Sequence, residues 1–300
     1  MNNNMIVYRE KPIIDEICDI YHYDDNIRHI LYVIIPAFVL KYGYEKESVI
    51  INTFKETKII SSNKEDNVRK AYYSSTPCIL EGTYKTRKHM VIQNYNNITL
   101  IELIDYLVHE FNHAVNSYVN EMKTTVKYIY LRTGLTYRIY QKDTCTFIKK
   151  HSSYILEEII NTKQTADIIN IIKRLDQSNP IISNTIYAIN AETSNTYQSE
   201  AYYLQSYVCK EILANRTFIS TLEKLRINGE VYEINKWFDD ITGQNGSYKD
   251  LNELLVEIYN LEIKYLSQKY FKKRTIEKIR STSDKIIKII NKFNQNVIFK

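Results

Sequence analysis

Only six glycines and four prolines interrupt 300 residues, so long helices are favoured over a sheet fold that needs many tight turns. With 44% hydrophobic residues the chain can close a substantial core, as one large domain or two modest lobes. Pro12 near the start of an apolar-periodic stretch predicts a helix over about 12–22. A second should start at Asp24 or Asp25 and end near Tyr42, with Gly43 as its C-cap. It contains the longest apolar run, Ile30 to Leu40, which is too short to span a bilayer and reads as buried helix.

The next segment changes character. Ser48 to Phe54, Lys58 to Ile60, Cys78 to Glu81 and His89 to Gln93 are short and rich in β-branched residues, which predicts a small sheet over about 48–93. A helix could interrupt it across Asn67 to Tyr73. Thr99 then opens a helix over about 100–120, since it can cap the first turn while Glu102 reaches back. Beyond Gly134 the pattern reads as helical almost throughout, near 153–174, 180–190, 197–214, 217–226, 248–270 and 274–292, with Asp239 to Ser247 as a loop. No repeat or low-complexity linker divides the chain.

The N-terminal residues lack the apolar stretch and cleavage pattern of a conventional secretory signal, so a cytoplasmic location is expected. Cys18, Cys78, Cys145 and Cys209 are widely spaced and form no C-x-x-C pair, which reads as structural thiols of a reducing compartment. The net charge of +5 is a slight surplus. Lys272, Lys273 and Lys278 are interleaved with other residue types as on a solvated helix face, so no nucleic-acid partner and no membrane insertion is expected.

The chemistry concentrates in His109-Glu110-Phe111-Asn112-His113. Two histidines four apart on a helix share one face and can reach one metal ion, while Glu110 lies beside them, placed to meet water rather than the metal. Zinc hydrolysis needs that set: neutral nitrogen ligands, an open coordination position, and a carboxylate to take a proton. A chain of this length would contain the pattern by chance on the order of one time in a hundred. The helix phase agrees with a site: Ile101, Ile104, Leu107, Val108, Phe111 and Val115 form one apolar stripe, and both histidines point away from its centre.

The stretch Tyr106 to Ala114 resembles the active-site helix of the zincin metallopeptidases, with an apolar lead-in before H-E-x-x-H. Asn116 and Val119 stand where the metzincin branch has a glycine and a third histidine, which argues against that branch. The gluzincin branch takes its third ligand from a later glutamate, and Glu158, 45 residues after His113, fits that pattern. Thr162 occupies the position that is often acidic in those enzymes, so support for a histidine must come from elsewhere, with Asn161 and Asp167 as candidates. Glu157, Glu200 and His151 remain rival third ligands; Glu157 and Glu158 can also be read as a solvated pair at a helix start.

The pattern along the chain predicts an α+β fold, mostly helical, in which a small N-terminal β-sheet packs on the zincin-like helix and an all-helical C-terminal lobe follows; the resemblance itself covers at most about residues 75–175. Residues 1–120 would form the mixed lobe and 121–300 the helical lobe that supplies the third ligand. The resemblance implies Zn2+ held by His109, His113 and Glu158, Glu110 as general base, and an oxyanion donor among Tyr154, Tyr203, Tyr202 and Tyr137, with Arg138 as a further candidate. The substrate would be a peptide or protein. His89 to Gln93 could bind it along a sheet edge, as in β-strand addition, or be an internal strand. The alternative function is a non-catalytic helical interaction protein, suggested by the amphipathic segments Leu251 to Leu266 and Ile276 to Phe293.

Overall fold

The computed structural model describes residues 3–63, 70–150, 153–175, 177, 180–193, 202–267 and 273–297. Helices α1 (Asn3–Tyr21), α2 (Asp25–Tyr42) and α3 (Glu47–Glu56) come first. Strands β1 (Thr57–Ser61), β2 (Ala71–Leu80) and β3 (Thr83–Ile92) follow, and then α4 (Leu100–Val115). Strands β4 (Met122–Thr124), β5 (Tyr128–Thr133), β6 (Thr136–Gln141) and β7 (Phe147–Lys150) precede α5 (Tyr154–Ile172) and α6 (Pro180–Glu192). The remainder is helical: α7 (Tyr203–Val208), α8 (Lys210–Leu213), α9 (Arg216–Asn228), α10 (Glu233–Thr242), α11 (Ser247–Leu266) and α12 (Lys273–Val297).

The chain divides into two compact units, Met1–Tyr118 with Asn161–Ser199, and Val119–Ile160 with Glu200–Lys300. Helix α5 runs continuously through the change of unit between Ile160 and Asn161.

In the first unit α2 starts where Asp24 accepts the Ile27 N–H (2.9 Å), and it ends at Gly43, whose N–H returns to the Val39 carbonyl. Every residue from Ile30 to Val39 is buried, as a helix apolar on all sides requires. Ser48 to Phe54, expected as strand, is helical in α3. Its exposed positions recur as Ser48, Asn52 and Glu56, and Phe54 stacks on Phe111 of α4 with ring centroids 3.8 Å apart. That non-local contact overrides the local β preference of the branched residues.

The three-stranded sheet has the order β1-β3-β2, with β3 parallel to β1 and antiparallel to β2. Strand β3, with His89 to Ile92, is therefore internal, and β2 is the edge strand that packs on α4. Of the helix expected across Asn67 to Tyr73, residues 71–73 are in β2 and 67–69 lie outside the described residues. Thr99 and Glu102 close the expected capping box on α4, with Glu102 accepting the Thr99 N–H (2.8 Å).

In the second unit β4 to β7 form an antiparallel meander that the sequence reading missed; β6 and β7 lie where helix was expected. Helix α10 was also missed, and the loop expected from Asp239 begins only at Gly243, after Ile234, Phe238, Ile241 and Thr242 have buried one helix face. The segment expected as one helix over 197–214 is α7 and α8, broken at Cys209, with 197–201 outside the described residues. Phe218, Trp237, Phe238 and Phe293 pack edge-to-face and stacked at the core of this unit.

All four cysteines are free, and burial pushes the Cys18 and Cys209 thiols up to about 11 and about 12. No helix among the described residues is long and apolar enough to cross a membrane.

Candidate metal centre

The capping box starts α4 so that its apolar stripe faces inward, with Ile104, Leu107, Val108, Phe111 and Val115 buried. His109 and Glu110 are half-buried and His113 is buried. The two imidazoles lie with ring centroids 5.0 Å apart at 79°, as residues four apart on one helix should. On α5, every residue from Ile155 to Thr162 is buried except Glu158, which is half-exposed.

One ligand atom from each of His109, His113 and Glu158 falls within 4.8 Å of the others, and among the described residues this is the one such group of three. Ligand atoms around a four-coordinate zinc lie about 3.3–3.6 Å apart for bonds of about 2.0–2.2 Å, so small side-chain rotations close the set. Two nitrogens and one carboxylate oxygen are also the right donor chemistry for zinc with an open position. The His109-Glu110-x-x-His113 helix with Glu158 matches the gluzincin arrangement of H-E-x-x-H plus glutamate, and is consistent with a zinc-hydrolase mechanism.

Of the rivals for the third position, Glu157 is placed elsewhere. Glu157 is buried and ion-paired with Arg226, its other oxygen accepting the Leu135 N–H (2.7 Å). Glu200 and His151 lie outside the described residues. Glu110 is held by a backbone group with no sequence signature: the Tyr73 N–H of β2 donates to its Oε2 at 2.6 Å.

Tyr154 opens α5 one turn before Glu158 and meets Tyr259 edge-to-face at 6.3 Å. Burial first, then Tyr259 and Glu158, raises its phenol above the usual tyrosine value. Tyr203 begins α7, is 70% exposed and stacks on Tyr207. Tyr137 and Arg138 are on β6, where burial raises the Tyr137 phenol against the opposing charge of Arg132. Tyr202 precedes α7 in a left-handed conformation.

Beneath the ligands lies a buried polar network that the sequence reading touched only at Asn161. The Asn112 side-chain amide donates to Asn161 Oδ1 (2.6 Å) and Gln164 Oε1 (2.9 Å) and accepts from the Tyr42 hydroxyl. Asn161 donates in turn to the His109 carbonyl (2.8 Å), and Asn116 donates to Tyr42 (2.8 Å). The signal in the sequence is the recurrence of Glu157, Asn161 and Thr165 at every fourth position of α5, with Gln164 beside them. Asp167, the other candidate support, pairs instead with Lys41 (3.0 Å). Asn112→Leu keeps the branched outline, with somewhat larger terminal groups, but strips partners from buried polar groups, so it should cost about 1–3 kcal/mol. An unchanged urea midpoint would show that the network does not hold α5 on α4.

No protein-family model matches the chain, and comparison with curated proteins and with solved structures found no match. The likeness to the gluzincins therefore rests on the ligand set, its spacing and its geometry.

Proposed function

We propose that the protein is a zinc-dependent peptidase in which His109, His113 and Glu158 hold the metal and Glu110 is the general base. The observation that carries this reading is the convergence of the three ligand atoms within 4.8 Å beside a glutamate that is not itself one of them. When bound, zinc supplies Lewis acidity toward a carbonyl oxygen and makes water nucleophilic at neutral pH.

Glu110 takes the proton of the attacking water and returns it to the leaving amine. Its hydrogen bond from Tyr73 keeps the carboxylate directed while one oxygen does the proton transfer. Tyr154 is assigned as the donor to the developing oxyanion, because it shares α5 with Glu158 and its raised phenol stays protonated. The exposed Tyr203 is the second candidate for that role.

Strand β2 supports a peptide as substrate. The Tyr73 N–H donates to Glu110 rather than across to β3, and among the described strands β2 pairs with β3 alone, so the backbone of β2 beside Glu110 lies at an outer edge of the sheet. Pro77 has the same parity as Tyr73 and leaves no N–H unpaired there, as expected on an edge strand. An extended chain adding to this edge would lie beside Glu110, the place first expected of β3.

Elemental analysis of purified protein tests the reading. One zinc per chain is expected, lost in His113→Ala and Glu158→Ala, together with chelator-sensitive cleavage in a peptide library. Zinc retained in Glu158→Ala would move the third ligand elsewhere. No zinc in the wild type after zinc is supplied would overturn the enzyme and leave the helical interaction protein.

A further inference from the structure

Glu157 and Glu158 are neighbours on α5 with opposite surroundings. Glu158 is half-exposed and joins the two histidines, whereas Glu157 is 1% exposed and paired with Arg226, itself fully buried. The pocket for the Glu157 carboxylate is built from several directions. Leu135 donates its N–H, and Gly134 has φ +55, with any Cβ there falling 2.0 Å from Glu157 Oε1. Arg132, also fully buried, donates to the carbonyls of Gly134 (2.9 Å), Arg226 (3.0 Å) and Val119 (2.5 Å), so it braces both the turn and the end of α9.

A buried ion pair gives little net stability over apolar residues of similar volume, so stability alone does not account for this construction. Direction does. Ile155, Leu156, Ile159 and Ile160 are buried on one side of α5 and Glu157 and Asn161 are buried on the other, so its first turns are enclosed nearly all round and no fully exposed face opposite the apolar one sets their rotation. A carboxylate about 6 Å from a helix axis moves by roughly 2 Å for a rotation of about 20°. Metal ligands tolerate about 0.2 Å.

We propose that the buried Glu157–Arg226 pair is a positioning device that sets the rotation of α5 and thereby aims the Glu158 carboxylate at the metal. Neither residue touches the metal; both act through Glu158. The proposal rests on the metal-centre reading above, and it makes Arg226, 68 residues beyond Glu158, a determinant of zinc affinity.

The test is the zinc dissociation constant, measured by competition with a chelator of known affinity, alongside the urea midpoint. Glu157→Leu combined with Arg226→Met replaces the pair by apolar groups and strips only the Leu135 N–H of its acceptor, so the midpoint should fall modestly. Zinc binding should nevertheless weaken about 10–100-fold, the usual effect of losing a group that orients a ligand. Glu157→Gln, which keeps an acceptor for Leu135, is the second variant and should weaken zinc in the same direction. In cobalt-substituted protein both should change the visible absorption that reports ligand geometry.

Phe293→Leu, a core change in the same unit, is the control and should lower the midpoint without moving the zinc constant. Zinc affinity within twofold of wild type in both pair variants would overturn the proposal, as would equal weakening in Phe293→Leu. Absence of zinc from the wild type would instead overturn the metal centre itself.

Discussion

Glu110→Gln is expected to lower the cleavage rate of any peptide substrate by about 10²–10⁴-fold while one zinc per chain is retained. The substitution isolates proton transfer. Glutamine has the same length, and its amide oxygen can still accept the Tyr73 N–H that now fixes the carboxylate at 2.6 Å. The three candidate ligands are untouched, since Glu110 is not one of them. What disappears is the basic oxygen that, in the proposed mechanism, receives a proton from water and passes it to the leaving amine. Peptide turnover and zinc content measured on the same preparation check this. A variant that keeps its zinc and cuts at nearly the wild-type rate would remove Glu110 from the mechanism.

Gly134→Ala is expected to be the most damaging single-atom-scale change in stability, costing about 3–5 kcal/mol. Two effects combine. At φ +55 any side chain meets the left-handed penalty, and here the new Cβ would sit 2.0–2.2 Å from the Glu157 carboxylate. The turn cannot keep its place and the carboxylate keep its bond to Arg226, so a buried charge loses its partner. Gly243→Ala separates the two contributions: its φ is +64 but none of the described residues has an atom within 4 Å of the new Cβ, so only the backbone penalty of about 1–2 kcal/mol applies. Denaturation midpoints of the two variants should therefore differ clearly. Equal shifts would show that the turn and Glu157 relax together without loss.

How far each feature could be read from the sequence follows from the range of the interactions that make it. The start of α4 was legible because Thr99 and Glu102 cap one another across three residues. The end of α2 at Gly43 was legible for the same reason. The pairing of His109 with His113 needs only the helical repeat, and the apolar stripe beside them is written in the same sixteen residues, whereas the burial of His113 comes from the fold. The long buried run of α2 could likewise be told from a membrane span by its length.

Features with distant partners could not be read in this way. The residues 48–54 have a local preference for strand, and only the stacking of Phe54 on Phe111 makes them helix. The meander around Gly134 pairs strands whose aromatic and β-branched residues do not announce their neighbours. That β2 rather than β3 is the edge strand depends on the order of the sheet, which no single segment encodes.

The sequence by itself determined that two histidines at metal-ligand spacing and a carboxylate share one helix, because helix periodicity and capping act within a few residues. Only the tertiary structure decided between Glu157 and Glu158. Arg226 and the turn at Gly134 draw the first carboxylate into the interior, and the helical twist of one residue leaves the second facing the histidines. The same folding brings the Tyr73 backbone to Glu110, a contact made by a peptide group that every residue but proline possesses and that no side-chain pattern can mark.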